Sequence, residues 1–219
     1  MKLQLATTAT MAALFMAACS PTPEEQAAAS LKATADSLAA AGYKERAYVV
    51  NPAASNLTWT GTMAGIKSHT GRLTFAEGTF TSKGSMLTGG TFVVNMTSYV
   101  MTDTNYAADG SEQGTRAMLM GHLMSPEFFD VGNYPTSTLQ ITAVNGNTAT
   151  ADLTVRGKTN SETITDIVVT PFEDGAIRAS GKLTFDRQKY GVAWSSGSKD
   201  AVLNDNIELT VEVVGKRLR

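Results

Sequence analysis

The chain has 219 residues, 42% hydrophobic and 17% charged, which is enough apolar material for one or two domains with a buried core. Eighteen Lys and Arg against twenty Asp and Glu leave a net charge of −2, so no basic surplus exists to neutralise phosphates, and nucleic acid is excluded as a partner. One Cys and two His rule out an intrachain disulfide and fall short of the four N or S ligands a structural zinc site wants, so no metal is expected.

Residues 1–18 read as a signal peptide. Lys2 supplies a positive start, and an uncharged run of apolar and small residues follows to Met16, too short to cross a bilayer comfortably. Met16-Ala17-Ala18-Cys19 resembles the lipobox of bacterial lipoproteins, with Met16 in place of the usual Leu. The competing reading is an ordinary secretory peptide that leaves a free thiol. The lipoprotein reading is preferred because the single Cys stands at the cleavage point. Cys19 is therefore the expected lipidation site and membrane anchor. The expected location is the cell envelope, as a periplasmic or outer-membrane lipoprotein, and export accounts for the absence of other cysteines.

Residues 19–43 form an Ala-rich tether, partly helical. Thr22-Pro23-Glu24-Glu25 matches a capping box with proline at the first helical position, and Gly42 can close the helix. Its apolar face is thin, with Leu31 and Leu38 seven apart, which favours a stalk over a coiled coil.

From residue 44 to 219 the apolar period becomes two. Strands are expected over 47–51, 57–63, 71–80, 87–100, 137–144, 149–155, 162–171, 177–187 and 206–215. Alternation is clearest at Leu183/Phe185 and at Ile207/Leu209/Val211/Val213, while Asn145-Gly146-Asn147 and Glu173-Asp174-Gly175 mark turns. Each strand has one apolar and one polar face, so the sheet is half wet and half buried. The fold class is all-β, an antiparallel barrel or sandwich with one short helical segment at 109–129, where Met118, Leu123 and Met124 precede Pro126.

Catalytic and ligand motifs fail on inspection. Gly61 to Ser68 is a near miss to a phosphate-binding loop, with Ile66 where the second glycine belongs. Asp103, Asn105 and Asp109-Gly110 suggest a calcium loop, but Ala107 occupies a ligand position. His69 and His122 have no close carboxylate or second histidine in the sequence, so both are expected to be structural, His122 by hydrogen-bonding its segment to the barrel. No catalytic residue is assigned, and the chain is not expected to be an enzyme.

Five motifs then carry a specific resemblance. They are His69-Thr70-Gly71 after a Trp-containing strand, Phe92-Val93-Val94-Asn95-Met96, His122-Leu123-Met124-Ser125-Pro126-Glu127-Phe128-Phe129-Asp130-Val131 with Tyr134-Pro135, Leu153 to Thr159, and Phe185-Asp186-Arg187 with Tyr190-Gly191. In this order they resemble the YceI-like family of periplasmic lipid-binding proteins, over about residues 44–216. The resemblance implies an eight-stranded lipocalin-like barrel around a polyisoprenoid or its pyrophosphate, with no other cofactor. Asn95 departs from the acidic residue common there. Alternation and the resemblance together nominate Trp59, Phe75, Phe92, Val94, Met118, Leu123, Leu139, Ile141, Leu153, Leu183 and Phe185 as the lipid-binding residues. Lys67, Arg72 or Arg187 would face a polar head at the mouth. The alternative is a packed barrel, without internal ligand, serving as a stress-response or protein-interaction lipoprotein.

Overall fold

The structure is a computed structural model, and the residues it describes are Thr22, Gln26, Ala29, 44–63, 67–195 and 203–218. The chain divides into two units, Met1–Tyr43 and Lys44–Arg219. In the first, Gln26 and Ala29 are helical, and the Gln26 N–H donates to the Thr22 carbonyl at 2.9 Å. The signal peptide, Cys19 and the rest of the tether lie outside the described residues.

The described residues of the second unit form nine strands. They are β1 (Arg46–Val50), β2 (Asn56–Met63), β3 (Lys67–Lys83), β4 (Met86–Met101), β5 (Thr136–Asn145), β6 (Thr148–Val155), β7 (Lys158–Pro171), β8 (Ile177–Asp186) and β9 (Leu203–Arg217). Among these residues an α-helix, α1 (Arg116–Met124), lies between β4 and β5. From β2 onward each strand pairs antiparallel with the next, and β9 returns to β2, closing an eight-stranded barrel. β1 pairs with the ends of β3 and β9 that β2 does not reach. β1 and β2 are thus one stave, interrupted by a 3-10 turn at Pro52–Ala54 where proline removes a ladder donor. Closure abolishes the sheet edges.

Tight connections follow from local chemistry. At Arg156-Gly157 both residues take positive φ, 50° and 71°, the primed turn whose twist matches the flanking strands. Helix α1 is shorter than the 109–129 segment expected from composition. It starts where the Thr115 hydroxyl caps the Met118 N–H at 3.2 Å, and it ends at Ser125, which is extended because Pro126 follows.

Inward residues alternate along each strand, but bulges reverse the parity. In β3 the buried series Gly71, Leu73, Phe75 becomes Gly78, Phe80, Ser82. A second irregularity in β4 lets the Ser98 hydroxyl accept the Thr74 N–H at 2.9 Å, so that donor is satisfied where the ladder breaks.

The two ends of the barrel differ. At the end bearing β1, Tyr48 stacks on Phe80 with ring centroids 5.4 Å apart, and Phe80 and Ile177 are fully buried. The Phe80 ring lies where a Cβ on Gly215 would be, 2.7 Å away, so only glycine fits there. This end is packed solid. At the opposite end lie α1, its flanking loops and residues 187–195.

Candidate functional site

A cavity of about 240 Å³ occupies the barrel between its packed end and α1. A void of about 10–15 Å³ on the same measure already holds one water, so this is no packing defect. Its wall is apolar, with Leu57, Leu73, Ile164, Ile207 and Val211 among the lining side chains. Gly61 and Gly181 contribute no side chain to the wall, which widens the space beside Trp59 and Ile164. Of the residues that line it, Lys182 carries a formal charge, but its side chain is 63% exposed and pairs with Asp166 at 3.0 Å. That charge is spent outside the barrel.

The structure brings ten of the eleven nominated side chains to this one cavity: Trp59, Phe75, Phe92, Val94, Leu123, Leu139, Ile141, Leu153, Leu183 and Phe185. Met118 is placed elsewhere, 48% exposed on the outer face of α1, and the neighbouring Leu119 faces the cavity instead. Composition offered three methionines and two leucines without a phase. The cap at Thr115 sets that phase, and it turns Leu119 and Leu123, four apart, to the same side. Tyr99, Phe128, Phe129 and Trp194 also line the cavity and were not among the nominated side chains. Trp194 lies in a loop without strand periodicity. Tyr99 follows a parity reversal that simple alternation misses.

His69 gains a carboxylate partner, Asp103, that sequence distance concealed. His69 Nδ1 lies 3.0 Å from Asp103 Oδ2, and its ring stacks on Tyr106 at 4.8 Å. Asp103 also accepts from the Tyr106 hydroxyl at 2.6 Å and from the Thr70 N–H at 3.2 Å. Burial by itself would raise the Asp103 pKa. The hydrogen bonds from Tyr106, His69 and Thr70 outweigh it and hold the carboxyl down at about 2, while burial and Asp103 push the Tyr106 phenol up. The cluster ties the start of the β4–β5 connection to β3.

A folded pKa below the unfolded value of 3.8 adds stability that is present above pH 3.8 and is lost as pH falls towards 2. Asp103→Asn is expected to cost about 1.5–3 kcal/mol at neutral pH, typical of hydrogen bonds to a charged group. It should also flatten the acid limb of a urea-midpoint-versus-pH curve between pH 4 and 2. An unchanged limb would refute this role.

His122 does not hydrogen-bond α1 to the barrel as expected. Its ring packs edge-on against Phe128 at 4.7 Å and Trp194 at 4.8 Å, with Glu127 Oε2 3.6 Å from Nδ1. It lines the cavity, as does His69. Among the described residues, no three His, Cys, Asp or Glu side chains gather as metal ligands would.

Two arginines fasten the loops at this end. Arg156 donates to the Pro126 carbonyl at 2.6 Å and the Gly191 carbonyl at 2.7 Å, joining the segment after α1 to residues 187–191. Arg187 is 3% exposed and donates to the carbonyls of Val192, Trp194, Leu203 and Asn204 and to Asp205. It has no donor left for a ligand head. Arg72 is exposed on the outer face of β3 between inward Gly71 and Leu73, and Lys67 is not among the residues lining the cavity. None of the three cations proposed for a head group is at the cavity.

The model of the YceI-like domain matches residues 48–215, nearly the whole barrel. The chain belongs to the YceI-like family. Among solved structures, this YceI-like barrel is similar to Burkholderia cenocepacia BcnA at 17% identity, with a TM-score of 0.53, covering 75% of this chain and 98% of that one. It is also similar to a polyisoprenoid-binding domain from Saccharophagus degradans at 12% identity, with a TM-score of 0.56 and coverage of 79% and 99%. At such identities the likeness is one of fold. No curated protein matches the chain. His69, Arg156 and Arg187 hold the loops at the α1 end, while Phe92, Val94, Leu123, Phe128, Leu153 and Phe185 from the same sequence motifs line the cavity.

Proposed function

We propose that this YceI-like protein is an exported lipoprotein, tethered through Cys19, that holds one long apolar lipid of isoprenoid type in its barrel for storage or carriage. The observation that supports this most is the apolar cavity along the barrel. Eight strands leave room either for packed side chains or for one slender ligand. A void of about 240 Å³ favours the ligand over the packed interaction barrel. The polyisoprenoid-binding structural relative from Saccharophagus degradans points the same way. Each buried methylene contributes roughly 0.8 kcal/mol, so a chain of about twenty carbons offers roughly 16 kcal/mol against an association cost of about 4–15 kcal/mol. The polar pairs around the cavity hold loops in place, so binding rather than turnover is its role.

Organic extracts of the purified full chain, analysed by mass spectrometry, should contain one lipid class near one mole per mole of protein. A folded protein with no extractable lipid and no uptake of added polyprenols would overturn the reading. Tethering has its own test. Cys19 is expected to carry a diacylglycerol and an N-acyl chain, because several acyl chains anchor stably where one is marginal. Cys19→Ser should leave the precursor unprocessed or release the protein from membranes. Normal processing with continued sedimentation would exclude the anchor.

A further inference from the structure

Resting on the cavity reading above, we propose that lipid enters and leaves sideways through the barrel wall, at a seam between residues 86–90 of β4 and 141–145 of β5. Among the described residues the two strands pair only from Thr91 with Gln140 to Asn95 with Thr136. From there to their joining turns each keeps its other neighbour, β4 with β3 and β5 with β6. Parting β4 from β5 over this stretch breaks no ladder pair, so the wall opens there at less cost than where the ladder is continuous. The cavity reaches the seam from inside, where Leu87 and Phe92 of β4 and Leu139 and Ile141 of β5 line it. Gly89 and Gly90 leave part of the β4 rim without side chains.

The rim has the chemistry a hydrocarbon chain can cross. Neither β4 nor β5 carries a charged residue, whereas β3, β7, β8 and β9 all do. A chain sliding between them therefore displaces no strongly held hydration shell. The hydroxyls beside the seam are engaged within their own hairpins: Thr88 with Thr81 at 2.7 Å, and Thr142 with the Thr150 carbonyl at 3.1 Å. Two other interruptions of the wall are filled. Where the β7–β8 ladder stops short of the Arg156-Gly157 turn, the fully buried Tyr190 donates to Glu162 at 2.8 Å and packs edge-on against Phe185 at 5.2 Å. The break between Thr165 and Val168 is bridged by the Lys182–Asp166 pair at 3.0 Å. End-on, the β1 side is packed solid, and Arg156 fastens the segment after α1.

The test measures exchange on the full chain. Protein loaded with geranylgeraniol is mixed with phosphatidylcholine vesicles holding the deuterated alcohol, and mass spectrometry of the re-isolated protein follows the label. Thr88→Cys with Thr142→Cys, both at exposed positions flanking the seam, allows a flexible bismaleimide to clamp β4 to β5 after loading. Thr150→Cys with Thr163→Cys, clamped the same way across the continuous β6–β7 ladder, is the control. The β4–β5 clamp should keep its lipid while exchange slows about ten-fold or more, and the control should exchange as the wild type does. Thr88→Glu with Thr142→Lys needs no reagent. An ion pair across the rim should slow exchange severalfold at low salt and lose that effect at about 1 M salt. Wild-type exchange in the clamped protein, or in the ion-paired one if no clamp forms, overturns the seam and leaves the cavity reading standing. Wild-type protein that neither holds nor takes up geranylgeraniol brings down both.

Discussion

Replacing Arg187 with methionine should destabilise the barrel by about 3–5 kcal/mol, the range for breaking a buried charged network from one side. Two carbonyls of the β8–β9 connection and two at the start of β9 converge on one guanidinium that is nearly inaccessible to water. Methionine fills similar volume but leaves those carbonyls buried without donors, and each orphan costs about 1–3 kcal/mol unless water reaches it. Lysine should rescue little, because a point ammonium cannot span acceptors on both sides of the planar fork. Asp205→Asn separates the two contributions. Its carboxylate is half exposed, so losing the charge should cost under about 1 kcal/mol. Urea unfolding of the three variants checks the order. Asp205→Asn matching Arg187→Met would mean that the ion pair, not the carbonyl cradle, holds this loop.

Leu183→Glu is expected to abolish lipid binding. Leu183 is buried in β8 opposite Ile164 and Leu209, and it faces the cavity. A carboxylate there either draws water into the apolar space or stays protonated, and both remove the reason for an apolar chain to occupy it. Ile141→Glu, on β5, should do the same from another wall. Because a buried charge also threatens folding, Gly61→Leu gives the complementary measurement. A Cβ at Gly61 would meet Ile207 and Trp59 only at 3.7 Å, an ordinary contact, so the larger side chain can extend into the void with little strain. Gly61→Leu should keep or raise the thermal midpoint while lipid recovery falls severalfold. Folded Gly61→Leu or Leu183→Glu protein that retains full lipid would show that the lipid lies elsewhere.

Much of the barrel was legible because strand burial repeats every two residues. Where apolar and polar residues alternate without interruption, as in Leu183/Phe185 and Ile207 to Val213, sequence gives both the element and its inward face. The expected strands fell close to β1–β9 for this reason. Where the pattern is broken, the face was lost. Tyr99 lies beyond a β4 irregularity that reverses the parity, and Met118 sits in a helix whose methionines and leucines fit more than one phase.

The signature motifs misled in an instructive way. Arg187 looked available for a pyrophosphate because it closes the expected strand 177–187, where a cation would stand at the barrel mouth. Yet residues 192–194 and 203–205 fold over it and use every donor direction. His69 looked isolated because Asp103 is 34 residues away. The antiparallel pairing of β3 with β4 brings them together, and no local spacing encodes that.

Sequence alone therefore determined the all-β class, the strand positions and most of the side chains that face inward, since these depend on local period and propensity. Tertiary structure decided that the interior is hollow, which end is packed shut, and which polar groups stand beside the cavity. A void is a difference between the volume that eight staves enclose and the volume their inward side chains fill. That difference turns on contacts such as Phe80 against Gly215, and on the open space at Gly61, between residues that lie far apart along the chain.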